Sequence, residues 1–295
     1  MRLFLLASLL LLSACGGSRA PAGTTPIVED GEFRVLVYSR TAGFRHASIE
    51  PGIAALGELG RANGFAVDAS EDPTVFNPET LARYAAVIWL NTTLTVLDTE
   101  AQREALQRYI EAGGGYVGIH SAADTEHDWP WYGELVGAYF KSHPVQQLGR
   151  LRIEAADHPA VAALPDPWTV FDEFYSFKTN PRGLVRVLMN IDETSYAQDP
   201  NTTCLPDSPT FPNGFSGVMG DHPMSWCHDR LGGRAWYTAL GHEAALYQLP
   251  EFREHLLQGI LTATRRVAAD CQPREAALPP PPPESPQACA SLLPG

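Results

Sequence analysis

Between Phe33 and His120 four short apolar runs alternate with helical patterns, and no other feature of the chain restricts its fold as much. Phe33 to Ser39 reads as a buried strand; Ser48 to Asn63 follows with apolar residues at helical spacing and Pro51 in its first turn. Phe65 to Ala69 and Tyr84 to Asn91 are the next two strands. Thr99 and Gln102 then form a capping-box pattern, opening a helix that Gly113-Gly114-Gly115 ends, and Tyr116 to His120 is the fourth strand. Strand and helix in this order imply right-handed crossovers and an open, mainly parallel α/β sheet with helices on both faces.

The second half is less regular. Leu148 to Glu154 and Leu184 to Asn190 look like strands, and Met224 to Asp229 with Arg234 to Leu240 flank Gly232-Gly233 as a hairpin. An amphipathic helix is expected from Pro250 to Arg265, and the Pro- and Asn-rich stretch from Ala197 to Gly217 reads as a loop or insertion.

Ligands of open α/β sheets bind beyond the carboxyl ends of the strands, where loops and helix N-termini gather. Three polar segments fall there: Arg40 to His46 after the first strand, His120 to Asp124 after the fourth, and Gly241-His242-Glu243 after the last hairpin strand. That convergence is the main clue to a site.

At these segments the chain resembles the ThuA-like family, named for trehalose utilisation and related in fold to class I glutamine amidotransferases. The resemblance covers about Phe33 to Arg265. It rests on TAGFRHASI (Thr41 to Ile49), GGGYVGIHSAAD (Gly113 to Asp124), WYGELVGAYFKSHP (Trp131 to Pro144), DEFYSF (Asp172 to Phe177) and PMSWCHDRLGGRAWYTALGHE (Pro223 to Glu243). It implies a flavodoxin-like, amidotransferase-like core and a link to carbohydrate metabolism, without fixing the reaction. In amidotransferase-like folds a cysteine occupies the sharp turn after this central strand, but here Gly118-Ile119-His120-Ser121 puts His120 in its place. Cysteine-dependent glutamine hydrolysis therefore has no nucleophile. Ser121 has no G-x-S-x-G around it, which argues against a serine nucleophile.

Histidine at this turn suits acid–base work near neutral pH. His120, Asp124, His242, Glu243 and Glu173 are the expected catalytic groups, with Thr41, Arg45, His46, Ser121, Asp172 and Trp226 as substrate-binding residues. Each has a structural alternative: His46 could cap a helix, Asp172 and Glu173 could pair with arginine, and the tryptophans could be core. The expected reaction is hydrolysis of a glycoside or modified sugar; the alternatives are a non-catalytic sugar-binding lipoprotein and a metal-dependent hydrolase. No cofactor is expected, because the histidines near His120, including His127 and His143, lack the H-E-x-x-H spacing of a zinc site. Zinc or another divalent ion stays an alternative.

The N-terminus predicts export. Arg2 precedes an apolar run from Leu3 to Leu12, too short to span a bilayer of about 30 Å, and Leu12-Ser13-Ala14-Cys15 resembles the lipobox of bacterial lipoproteins. Residues 1–14 read as a signal peptide, Cys15 as the lipidated residue and 15–32 as a flexible leash, with the domain at 33–266 and a Pro-rich tail at 267–295. The expected location is the cell envelope facing the periplasm; Gly16, where an acidic residue would favour the inner membrane, leans toward the outer one. The lipid is the only expected membrane contact. With 21 basic against 34 acidic side chains and no basic run, the chain is a poor partner for nucleic acid. Cys204, Cys227, Cys271 and Cys289 follow the export signal and are expected as disulfides. Loop closure favours neighbours, Cys204 with Cys227 and Cys271 with Cys289.

Overall fold

Residues 21–198 and 217–274 are described by a computed structural model; Cys15, Cys204, Cys289, the stretch 199–216 and the proline run at 279–283 lie outside them. In the first half β1 (Thr25–Val28), β2 (Arg34–Tyr38), α1 (Ile49–Asn63), β3 (Ala66–Ser70), α2 (Pro78–Leu81), β4 (Ala86–Leu90), α3 (Glu100–Glu111) and β5 (Gly115–Ile119) follow one another. The second half holds α4 (Pro130–Val136), β6 (Phe140–Ser142), β7 (Gln147–Ile153), α5 (Pro159–Ala162), β8 (Trp168–Asp172), β9 (Ser176–Phe177), β10 (Arg186–Ile191), β11 (Pro223–Leu231), β12 (Gly233–Thr238) and α6 (Pro250–Ala263). The helix ends follow local chemistry. Thr99 and Gln102 exchange side-chain and backbone hydrogen bonds at the start of α3, and α1 stops at Gly64, whose φ of 71° is left-handed.

β2, β3, β4 and β5 are buried along their whole length, as continuous apolar runs covered on both faces must be. They pair in parallel, and β12 joins them parallel to β5, so that the parallel strands numbered by chain order stand 2-1-3-4-5. That is the flavodoxin-like order. β11, β10, β7 and β8 extend the ten-stranded sheet antiparallel beyond β12, and β1 pairs antiparallel on the opposite edge; β6 and β9 form a separate two-stranded sheet. The fold is thus α/β, with a parallel half and an antiparallel half.

Neighbouring residues of β12 show that both faces are covered. Trp236 meets His255 of α6 with ring centroids 4.8 Å apart, whereas Tyr237 stacks on Trp226, whose Nε1 donates to the Val136 carbonyl of α4. Successive strand side chains point to opposite faces, so α6 and α4 lie on opposite sides of the sheet.

Four expectations need correction. Thr25–Val28, read as leash, is an edge strand on β3. Trp226, expected to stack on a sugar, is core: it is 1% exposed and spends its N–H on Val136. Cys227 pairs with Cys271, not with Cys204, and Cys271 is not joined to Cys289. Cys227 sits in β11 and Cys271 in the chain leaving α6, with Cα atoms 5.2 Å apart. Doubling a loop costs only about 0.6 kcal/mol, so sequence proximity is a weak guide once tertiary structure fixes which cysteines meet. Cys271 is buried, which takes the domain past residue 266.

Candidate functional site

Four chain segments meet beyond the carboxyl edge of the sheet. β2, β5 and β12 are parallel and end there. The antiparallel pairings from β12 through β11, β10 and β7 leave β8 running the same way as β12, so Asp172 and Glu173 emerge at that edge too. In a flat sheet four strand spacings would hold β8 roughly 19 Å from β12. The curl of the antiparallel half and the turn after β12 close the gap, because Asp172 Oδ2 accepts the Gly241 N–H at 2.8 Å.

His120 follows β5 directly, with φ 51°, a left-handed conformation that costs a non-glycine residue energy and is typical of turns that aim a side chain at a site. Its Nδ1 donates to the Ala239 carbonyl at 2.7 Å and its ring lies 4.1 Å from that of Tyr175. Asp172 accepts the amides on either side of His242, Gly241 at 2.8 Å and Glu243 at 3.0 Å. Ser48 Oγ and Tyr247 OH donate to the Gly241 carbonyl, fixing the same turn from the other side. Gly241 has φ 126°, and a Cβ there would stand 2.8 Å from the Tyr247 hydroxyl.

These supports bring His46, His120, His242 and Glu173 together, each offering one atom within 4.8 Å of the others. The three imidazoles stand nearly at right angles, at 90°, 85° and 81°, with centroids 4.9 to 5.4 Å apart. Glu173 Oε2 lies 3.1 Å from His242 Nδ1 and 3.5 Å from His120 Nε2; neither contact is a well-formed hydrogen bond, and both nitrogens are buried without one. Oε1 of Glu173 lies 2.9 Å from His143 Nδ1 and accepts from Gln146 Nε2 at 2.9 Å; the same amide nitrogen is 3.1 Å from His242 Nε2.

The electrostatics favour one anion among imidazoles. Burial raises the Glu173 carboxyl, but the neighbouring imidazoles of His120, His143 and His242 outweigh it and hold the group well below the usual carboxylate range. Burial, reinforced by the neighbouring histidines, drops His46 to about 2, so its ring is neutral. For His242 and His143 burial is outweighed by Glu173, and both are raised. Burial pushes Asp172 up to about 6, against the opposing pull of His120 and of the Gly241 and Glu243 amides.

Of the residues predicted from sequence, His46, His120, His242 and Glu173 form the cluster itself. Ser121 touches it, with Oγ 3.4 Å from His46 Nδ1, and Asp172 holds the His242 turn. Glu243 contributes its amide and its charge, which raises His242. Asp124 pairs with His127 Nε2 at 2.7 Å, Arg45 with Glu50 and Glu71, and Thr41 bridges to Thr93. Sequence reasoning missed Gln146, which lies in no motif, Tyr175, which lies in DEFYSF but was not picked out of it, and Phe44. That ring is 66% exposed, edge-on to His46 at 4.9 Å and parallel to His242 at 6.4 Å, on the solvent side of the cluster. Its exposure was not legible in TAGFRHASI.

The ThuA family model, described as trehalose utilisation, matches residues 34–263. A solved ThuA-like protein from Bacteroides uniformis is 24% identical with a TM-score of 0.64, covering 78% of this chain and 91% of its own. One from Parabacteroides merdae is 19% identical with a TM-score of 0.61, covering 81% and 92%. These likenesses show the fold. No curated protein matches the chain.

Proposed function

Because the chain belongs to the ThuA family of trehalose utilisation, we propose that it processes a glycoside or modified sugar at the pocket of His46, His120, Glu173 and His242. The family gives the carbohydrate-related role; the observation that carries the site is one buried carboxylate ringed by histidines from separate segments, at the edge where open α/β folds bind ligands. Acid–base chemistry on a sugar needs such groups, and an exposed aromatic ring beside them, Phe44, suits the apolar face of a pyranose. The reaction class we favour is hydrolysis. The lipobox ending at Cys15 supports placement in the cell envelope on a lipid anchor facing the periplasm.

Turnover and binding of a panel of glycosides and modified sugars test this reading. His120→Asn keeps a donor for the Ala239 carbonyl while removing Nε2, and is expected to lower turnover by about 10²–10⁴ with its melting temperature close to wild type. Binding without turnover would make the protein a sugar-binding lipoprotein, and full activity in His120→Asn would place the chemistry elsewhere. The anchor is tested separately: labelled fatty acid should enter the wild type and not Cys15→Ser, and an unlabelled wild type sinks the localisation.

A further inference from the structure

We propose that His46, His120, His242 and Glu173 together bind one divalent first-row transition-metal ion, with zinc as the reference ion. The proposal rests on reading this pocket as the functional site, and it makes the four groups ligands of an ion instead of carriers of a free proton. His120 supplies the first reason. Its Nδ1 is 2.7 Å from a carbonyl oxygen and so must carry the hydrogen there, which in the neutral ring leaves Nε2 with a lone pair. That lone pair is buried, has no hydrogen-bond partner and faces a carboxylate oxygen 3.5 Å away. Two electron-rich atoms held this close in a buried place call for a cation between them. The backbone carbonyl on Nδ1 is also the contact that orients metal-binding histidines and fixes their tautomer.

Distances supply the second reason. Ligand atoms about 2.1 Å from a tetrahedral zinc stand about 3.4 Å from one another. Here Glu173 Oε2 is 3.5 Å from His120 Nε2 and 3.1 Å from His242 Nδ1, and all four ligand atoms lie within 4.8 Å. Three imidazoles and one carboxylate suit zinc, iron, cobalt or nickel better than magnesium or calcium, which prefer oxygen alone. His242 is the partly exposed member, 17% by side chain, so a further ligand such as a sugar oxygen would reach the ion from the side of His242 and Phe44. The other grouping of this kind among the described residues, His158 with Cys227 and Cys271, has its sulfurs joined as a disulfide.

The test uses the whole chain purified in detergent, stripped with chelator, and titrated with zinc and then with manganese. One ion per chain is expected, with a rise in melting temperature that chelator reverses. His46→Ala and His120→Asn should each weaken zinc binding roughly 100-fold or more, as should the nearly isosteric Glu173→Gln, whereas Phe44→Ala should bind like wild type. Absence of stoichiometric binding to the wild type, or unchanged affinity in Glu173→Gln and His120→Asn, overturns the metal site. If no zinc binds but the protein turns over a sugar, the pocket's acid–base function survives and the metal falls. If zinc binds as expected but no sugar binds, the metal site stands and the carbohydrate reading of the pocket falls.

Discussion

Phe44 is the kind of residue whose role depends on its surroundings alone. An exposed phenylalanine has little to gain from solvent, yet here it covers two histidines of the cluster, edge-on to His46 and parallel to His242. Aromatic stacking contributes about 0.5–1.5 kcal/mol, so Phe44→Ala should weaken sugar binding roughly 2- to 13-fold. Because the ring is 66% exposed, the melting temperature should hold. Calorimetric titration with the sugar that the panel identifies checks this; unchanged affinity removes Phe44 from the site. Single residues were unevenly legible. His120 could be found because the turn after a central strand is a site position in any fold of this type. Trp226 could not be judged, since the face of the sheet it occupies depends on β11 pairing with β12, and that pairing sends it under α4. Asp172 and Glu173 are adjacent carboxylates with different tasks: one accepts two backbone amides of a turn, the other faces three histidines.

At the scale of elements, α6 is held by a close approach. Gly259 lies against Trp236 of β12, where an added Cβ would stand 2.6 Å from three atoms of the buried indole. Gly259→Ala would gain about 1 kcal/mol of helix propensity and lose about 1–3 kcal/mol to overpacking. Net destabilisation is therefore expected in urea unfolding, and a more stable variant would show that the helix can shift away from the sheet. The strands of the parallel half were readable because each is apolar throughout. β8 was not singled out as one, since Trp168, Val170 and Asp172 face inward and the last of these is a carboxylate, which hides the alternation. β1 was missed for a related reason: Pro26 and the short, half-exposed run Thr25–Val28 look like linker until β3 offers them an edge.

For the whole molecule the Cys227–Cys271 bond ties the chain leaving α6 back to β11 across 44 residues. In the chain-entropy picture a loop of that size stabilises by about 4 kcal/mol. Cys227→Ser with Cys271→Ser should lose an amount of that order in denaturant titration, and a loss below about 1 kcal/mol would show that packing alone holds this end. Acid should act on the same scale. His158, His228 and His255 are buried and burial lowers each to about 4, from 6.5 when exposed. Between these values the unfolded chain binds protons that the folded one refuses, so stability is full above about pH 6.5 and falls as the pH drops toward 4. Unfolding free energies that stay level from pH 7 to pH 4.5 would contradict this.

By itself the sequence determined the α/β class, the order of the parallel strands' elements and the edge where a site would form, because these follow from local periodicity and from the handedness of crossovers. It also named all four members of the cluster, His46, His120 and His242 from the polar segments after strand ends and Glu173 as a carboxylate of DEFYSF. Only the tertiary structure decided which candidates meet. The antiparallel half has to curl before Glu173 can reach His120, the Gly241 turn has to be held before His242 can face Glu173, and β11 has to lie beside the chain leaving α6 before Cys227 can find Cys271. Contacts between distant segments carry no periodic signature, because they depend on the summed packing of elements whose positions no local stretch encodes.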